Sequence, residues 1–330
     1  MIIVRTPYRL SFMGGGTDYP AWSNEHPGAV LATAIDKYCW VSARWLPPFF
    51  EHKHRVSYSR VEEVLKTEEI NHPSVRETIK YLAINGGLEI HHDGDLPGRS
   101  GMGTSSSFTV GVLHALSALL ERPVDPMYLA KTSILIEQKM MKENVGAQDQ
   151  TTAAFGGFNR IDFYRSEVKV TPMPTERLPE LQKHLMLFFT GISRTATLIA
   201  ADQIKQIPHR EKQLTQLYNL VNSGVQILCE DGDIREFGRL LNEGWQLKRV
   251  LSRNISSDYI DHLYEQGRKA GAIGGKLLGA GGGGFLLLFA EPDRQPKIRA
   301  AMGNLLEVPF TFEKNGSTVL FKGGVVHGLK

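Results

Sequence analysis

The sequence predicts two mixed α/β layers with a functional cleft between them. Three observations carry that prediction. The 330 residues are long for one compact core and comfortable for two domains of ordinary size. Strand-like runs and stretches of helical apolar spacing alternate along the chain, with no repeat of 20–50 residues and no low-complexity segment. Glycine totals 33. Much of it sits in three clusters, Gly14-Gly15-Gly16, Gly98 to Gly103 and Gly279 to Gly284, where the backbone is expected to pass close to something.

The elements follow in order. Ile2–Arg5 and Tyr38–Ala43 read as strands, Val75–Ile84 as a helix, and Leu88–Ile90 as a strand leading into the second glycine cluster. Beyond that cluster Phe108, Val112, Leu113, Leu116 and Leu119 recur at helical spacing. Asp125 is the expected N-cap of the next helix and Pro126 its first residue. That helix should run through Leu129, Ile136 and Met140 to about Lys142. A Pro-rich stretch at Pro172–Pro179 suits a link between domains, giving an expected division into 1–170 and 171–330. In the second half Leu185–Phe189 reads as a strand, with helical patterns at about 195–206, 209–230, 233–251 and 257–269. Strands are expected at Phe285–Phe289, Val308–Phe312 and Thr318–Phe321.

Composition narrows the function. Hydrophobic residues are 42% and charged residues 22%, ordinary for a soluble protein. The net charge is only +3, and there is neither a run of Lys/Arg nor a basic stripe with interleaved aromatics, so no nucleic-acid partner is expected. The two cysteines, Cys39 and Cys229, form no CxxC pair and fit a reducing cytoplasm. The strongest apolar run, Phe285–Ala290, is far short of the roughly 20 residues that span a bilayer. The expectation is a soluble, cytoplasmic protein without a membrane partner; its oligomeric state is open.

The segment Pro97-Gly98-Arg99-Ser100-Gly101-Met102-Gly103-Thr104-Ser105-Ser106-Ser107 precedes an apolar-periodic helix. Small residues let backbone wrap a bulky anion. A helix start presents free N–H groups and the positive end of a dipole. The hydroxyls can bond phosphate oxygens or ligate Mg²⁺, a hard cation that prefers oxygen. A glycine turn with a serine N-cap would need fewer hydroxyls than four in a row. This is not a GxxxxGK[ST] loop. At Gly275-Lys276-Leu277, Ala270 stands where the first glycine belongs and a leucine where the hydroxyl belongs.

Two carboxylates follow. Glu137 lies in an apolar stretch, Ile134-Leu135-Ile136, so a buried carboxylate there wants a metal or an ion pair. Asp149 follows an expected break at Asn144-Val145-Gly146. Phosphoryl transfer asks for positioning and charge neutralisation more than covalent chemistry, with one carboxylate on magnesium and one near the attacking hydroxyl. Taken singly, each is as well read as a solvated or capping residue; together with the glycine–serine element they point to phosphoryl transfer.

The N-terminal stretch Arg9-Leu10-Ser11-Phe12-Met13-Gly14-Gly15-Gly16-Thr17-Asp18 completes a pattern that resembles the GHMP kinases, named for galactokinase, homoserine, mevalonate and phosphomevalonate kinases. Three motifs in family order carry the resemblance along the whole chain: Arg9 to Asp18, Pro97 to Ser107 (the PxxxGLGSSAA form with Met102 and Thr104 substituted), and Lys276 to Gly284. The GGGTD form looks most like the heptose 7-phosphate kinases. The resemblance implies an α+β two-domain GHMP kinase-like fold, with a ribosomal-protein-S5-like N-terminal domain and a ferredoxin-like C-terminal domain. It implies ATP and Mg²⁺ as cofactors and a small-molecule sugar phosphate as acceptor, phosphorylated at its anomeric hydroxyl. It places the nucleotide on Gly98, Ser100, Gly101, Met102, Gly103, Thr104, Ser105, Ser106, Ser107, Gly281 and Gly282, and magnesium on Ser105 paired with Glu137. Asp149 takes the place of the catalytic aspartate, and Arg9 that of an arginine orienting the hydroxyl. Gly15, Gly16, Thr17 and Asp18 match the sugar-binding turn. Gly15-Gly16 stand where galactokinase has Glu-His, which weakens galactose as the acceptor.

Gly279-x-Gly281-x-x-Gly284 also satisfies a dinucleotide GxGxxG pattern, but a strand rather than a helix follows it. That leaves a Rossmann oxidoreductase as a distant alternative. His91-His92-Asp93-x-Asp95 is discounted as a metal site. Thr190-Gly191-Ile192-Ser193-Arg194 has the form of a strand end carrying an arginine, and Arg194, together with Lys276, is a candidate for the acceptor's phosphate, since arginine binds phosphate bidentately. A fucose- or galactose-type kinase and a nucleotide-binding regulator without catalysis remain the alternatives.

Overall fold

The computed structural model describes residues 1–173, 176–192, 196–230 and 232–323. The chain opens on β1 (Ile2–Met13), a four-residue α1 (Pro20–Ser23) and the long β2 (Gly28–Trp45). β3 (His54–Ser57), β4 (Val61–Val64), α2 (Pro73–Tyr81), β5 (Leu88–Gly94), α3 (Thr104–Leu119) and α4 (Pro126–Leu135) follow. α4 continues directly into a π-helical turn at Ile136–Met140, and α5 (Gln148–Phe155), β6 (Phe158–Tyr164) and β7 (Glu167–Pro172) complete the first half. The second half holds α6 (Leu178–Lys183), β8 (Leu185–Phe189), α7 (Ala196–Gln206), α8 (Glu211–Cys229), α9 (Arg235–Arg249) and α10 (Asp258–Ala270). It closes with β9 (Gly274–Leu277), β10 (Phe285–Phe289), α11 (Gln295–Met302), β11 (Leu306–Glu307) and β12 (Thr318–Lys322).

The strands form two sheets. The larger has the order β12-β1-β2-β5-β3-β4, with β6 and β7 attached through β2. The smaller has the order β11-β8-β10-β9. β12 pairs antiparallel with β1, setting Ile2 opposite Lys322, so a single cut near residue 170 does not separate the two sheets. α3 packs on β1 and β2 and buries most of its length, as its dense apolar pattern requires. The Asp125 side chain accepts a hydrogen bond from the Tyr128 amide at 2.6 Å, so the expected cap is in place.

Two elements depart from the reading of the sequence. β1 runs well past Arg5 to Met13, so Arg9 lies inside the strand. Pro7, which has no N–H to donate, is tolerated because the β1–β2 register shifts between Pro7 and Tyr8. The strand expected at Val308–Phe312 is absent. Thr311 donates its amide to the Asp36 carboxylate at 2.8 Å and Phe312 donates to the Gln182 side chain at 2.9 Å. Side-chain acceptors thus take backbone groups that a ladder would have used, and only an isolated bridge, Ile35 to Phe312, remains. Among the described residues, no helix is long and apolar enough to cross a membrane.

One continuous core runs beneath both sheets. Phe12, at the end of β1, stacks on Phe158 of β6 at 5.2 Å and meets Phe237 of α9 edge-on at 5.4 Å. It therefore ties the first sheet to a helix that covers the second. Phe12→Ala is expected to cost about 3–5 kcal/mol, measured as a lowered denaturant midpoint at unchanged slope; a loss below about 1 kcal/mol would show that this aromatic junction carries little.

Candidate active site

Where β1, the α3 N-terminus, the α5 N-terminus, α9 and β9 converge, a cavity of about 360 Å³ opens. Arg9, Ser11, Gly15, Gly16, Asp18, Gly101, Gly103, Thr104, Ser105, Ser106 and Asp149 all line it. The first and second glycine motifs and the second carboxylate, far apart in sequence, are thus brought to one place.

Arg9 organises the site. Its Nε donates to Asp149 Oδ1 at 2.8 Å and its Nη2 to Asp149 Oδ2 at 2.9 Å, a bidentate pair. Its Nη1 donates to the Gly101 carbonyl at 2.6 Å, and its amide donates to the Met102 carbonyl at 3.2 Å. One residue of a central strand therefore fixes both the carboxylate and the glycine loop. Asp149 sits in the first turn of α5, where a negative charge is favoured. Asp18 accepts from the amides of Gly16 at 3.1 Å and Gln148 at 3.3 Å. Burial, and next the nearby Asp149, push its carboxyl above the usual range. A Cβ on Gly146 would lie 1.9 Å from Asp18 Oδ2, so the α4–α5 connection approaches Asp18 only because residue 146 has no side chain.

The glycine–serine loop delivers α3 with Gly103 at its N-cap in the left-handed region, and no side chain caps the helix. Its first amides therefore stand at the cavity, the arrangement that binds anions. The third glycine cluster packs on this loop backbone to backbone: a Cβ on Gly279 would lie 2.4 Å from Gly101 Cα. Thr104 Oγ1 accepts from the Arg99 amide at 3.3 Å, tightening the turn.

Glu137 projects from the π-helical turn and is wholly buried. Its Oε2 accepts hydrogen bonds from Ser106 Oγ at 2.9 Å and from the Gln150 amide nitrogen. Its Oε1 has no partner. The hydroxyl bonded to Glu137 is that of Ser106, while Ser105 is exposed on the cavity wall. The reason is rotation: α3 begins at Thr104, and each further residue turns the side chain by about 100°. Burial raises the Glu137 carboxyl to about 7. An unpartnered, buried carboxylate oxygen beside a serine hydroxyl is a donor set that fits a divalent cation.

Several expected ligands do not face the cavity. Thr17 ties its own turn, donating to the Gly14 carbonyl at 2.8 Å and accepting from the Ala29 amide at 3.1 Å. Met102 is in the core, and Ser107 donates to the Pro7 carbonyl at 2.9 Å. The Ser100 side chain is buried and Gly98 lies on the surface, both outside the cavity lining. Gly281 and Gly282 are held against Ile255, whose carbonyl accepts from the Gly282 amide at 2.9 Å. Arg194 lies outside the described residues.

The sequence reading passed over Lys248 and gave Lys276 only a secondary part. Both are more than nine-tenths buried and line the cavity. Lys248 donates to the Gly279 carbonyl, and Lys276 to the Phe12 carbonyl at 2.9 Å. Burial first, then Arg9, lowers Lys248 to about 8. Burial, then Lys248, holds Lys276 well below the ordinary lysine range. Lys248 falls in phase with Leu241 and Trp245 on the apolar face of α9. That phase is the signal by which it was findable, since a lysine on a buried face needs a reason.

Comparison with known proteins places this geometry. The profile of the GHMP kinases N terminal domain matches residues 72–157, and that of the GHMP kinases C terminal domain matches residues 225–308. A D-glycero-alpha-D-manno-heptose 7-phosphate kinase of Campylobacter jejuni is 27% identical, covering 94% of this chain and 97% of that protein. The crystal structure of a D-glycero-D-manno-heptose 1-phosphate kinase from Bacteroides thetaiotaomicron superposes with a TM-score of 0.80 at 24% identity, over 98% of this chain and 100% of that one. A Streptococcus pneumoniae phosphomevalonate kinase, solved with phosphomevalonate and AMPPNP, superposes with a TM-score of 0.76 at 17% identity, over 94% and 100%.

The burial of Glu137 makes stability depend on pH. Its folded carboxyl titrates near 7, against about 4.3 in an unfolded chain. Its contribution is therefore fully present below about pH 4.3 and lost as pH rises through 7. Without divalent cations, Glu137→Gln should gain stability relative to the parent between pH 5 and pH 8, read as the difference in melting temperature; a difference independent of pH would place the charge in water.

Proposed function

We propose, from the premise that this chain belongs to the GHMP kinase family and is a phosphotransferase acting on a sugar hydroxyl, that it transfers the γ-phosphoryl group of ATP to the anomeric hydroxyl of D-glycero-D-manno-heptose 7-phosphate. The observation that carries this reading is the Arg9–Asp149 pair. It stands between a turn suited to sugar hydroxyls (Gly15, Gly16 and Asp18) and a loop suited to phosphates (Gly101 and Gly103 to Ser106), all on one cavity. The heptose assignment is further supported by the Campylobacter jejuni relative.

In this reading Asp149 accepts the proton of the attacking hydroxyl, and Arg9 holds the carboxylate in register and offsets charge beside the transferring group. Asp18 accepts hydrogen bonds from vicinal sugar hydroxyls. The absence of side chains at Gly15 and Gly16 leaves room for a sugar bulkier than galactose. The free amides of the α3 N-terminus and the hydroxyls of Thr104 and Ser105 receive the phosphate chain. Glu137, with Ser106 and the neighbouring Ser105, would hold Mg²⁺, which when bound neutralises charge shared between the β- and γ-phosphates. Arg194 is proposed to reach the acceptor's own phosphate.

A coupled ADP-release assay with Mg-ATP tests the acceptor across mannoheptose 7-phosphate, mannose 6-phosphate, fucose and galactose. Turnover confined to the heptose phosphate is the expected result, and turnover with an unphosphorylated sugar alone would discard the heptose assignment. Asp149→Asn should lower kcat by roughly 10²- to 10⁴-fold, the usual worth of a positioned base; near-full kcat would remove the base role. Arg194→Ala should raise the KM for the sugar phosphate, and an unchanged KM would take Arg194 out of the site.

A further inference from the structure

Four cations, Arg9, Arg99, Lys248 and Lys276, and three carboxylates, Asp18, Glu143 and Asp149, line the cavity, and the buried cations are unequally used. Arg9 spends its guanidinium on Asp149 and Gly101. Asp18 accepts from the amides of Gly16 and Gln148 and keeps lone pairs for a further donor; it attracts both buried lysines without pairing with either. Lys248 and Lys276, by contrast, each have one carbonyl acceptor and, among the described residues, no carboxylate within ion-pair distance. An ammonium has three donors, so most of their hydrogen-bonding capacity is unmet. Burying two such charges near each other without a directly paired counter-ion is costly, and nothing in the packing requires lysine at either position.

Other lining groups lack partners too: the acceptors Gln148 Oε1 and Gln150 Oε1, the His72 Nδ1 ring nitrogen, and two groups able to donate. Ser11 Oγ and Gln203 Nε2 are buried, with relative exposures of 5% and 2%, and neither makes a hydrogen bond. A hydroxyl and an amide N–H can both donate, as the two ammoniums can. These four groups can all donate, two of them carry charge, and what the four lack is an acceptor-rich partner.

We propose that Lys248 and Lys276, with Ser11 and Gln203 beside them, form a second phosphate subsite, distinct from the Gly98–Ser107 loop and contributed largely by the second half of the chain. The inference rests on the kinase reading above, since it gives the subsite a place in that reaction. The occupant is a phosphate monoester dianion. It has two sources: the phosphate the acceptor already carries, or the phosphoryl group in transit. A phosphate offers only acceptors, which matches this lining; the lysines act as point charges where a guanidinium would impose a fork. The lowered titration ranges of both lysines agree with a site in which an anion restores the ammonium form.

The test uses Lys248→Met and Lys276→Met in the full chain, with Lys→Gln counterparts should a methionine variant fail to fold. For each, kcat and KM are measured with mannoheptose 7-phosphate and with the heptose lacking its phosphate, and binding of inorganic phosphate is titrated without nucleotide. A fall of about tenfold or more in the preference for the phosphorylated acceptor, the scale of one lost charged hydrogen bond, supports the subsite and identifies the acceptor's phosphate as its occupant. A comparable loss of kcat with both acceptors supports it and identifies the transferring group. Changes below about twofold in acceptor preference, in kcat and in phosphate affinity, in a folded variant, overturn the proposal. Should the wild-type chain use no sugar phosphate, the heptose reading fails separately. The phosphate titration still decides: affinity weakened about tenfold by either substitution keeps the subsite, and equal affinity removes it.

Discussion

The site depends on a single buried guanidinium. Arg9 stands in the middle of β1, its side chain only 4% exposed, and its three donor nitrogens are all engaged, two by Asp149 and one by the Gly101 carbonyl. A guanidinium is suited to this because its donors lie in one rigid plane and it stays charged when desolvated. The consequence is geometric. The carboxylate on α5 and the loop before α3 cannot move independently, because both are registered against the same strand. A lysine at this position would keep the charge and lose the fork.

Around that anchor, close backbone approach does the rest. Gly279 lies on Gly101, and a Cβ on Gly284 would lie 2.1 Å from the Ser100 carbonyl oxygen. The third glycine cluster thus reaches the cavity wall at Gly279 and Ala280 and otherwise backs the loop. It supports the phosphate loop and, through the Gly279 carbonyl, holds Lys248, while Gly281 and Gly282 are packed on Ile255. A glycine-rich segment therefore needs no ligand of its own to belong to a binding site.

How much of this was legible in the sequence follows from what each residue signals. The glycine clusters and Glu137 were readable from the residues, since small residues before a helix and a carboxylate in an apolar stretch both demand explanation; Arg9 and the role of Asp149 came through the resemblance to the GHMP kinases. The hydrogen bond from Ser106 to Glu137 was not readable. Knowing which hydroxyl of the run turns inward requires knowing where α3 begins to within one residue, the least certain feature of any helix pattern. The π-helical turn that carries Glu137 inward leaves no compositional trace. Lys276 was screened by its glycine neighbours, which made it look like a failed nucleotide loop. The missing strand at Val308–Phe312 has a similar cause, since its apolar pattern was sound but its amides had been claimed by Asp36 and Gln182.

The pairing of β12 with β1 bears on how the molecule is made. During synthesis β1 emerges first, and β2, its inner neighbour, follows soon after. Its outer neighbour does not exist until residue 318 has been added. Throughout that interval the strand carrying Arg9 presents an open row of backbone donors and acceptors, the kind of edge that recruits foreign strands. Domains generally fold in the order they leave the ribosome, but here the first sheet is finished only after the second has been translated. Synthesis of β12, rather than of the first half, is the event that seals the outer edge of the sheet on which the site is built.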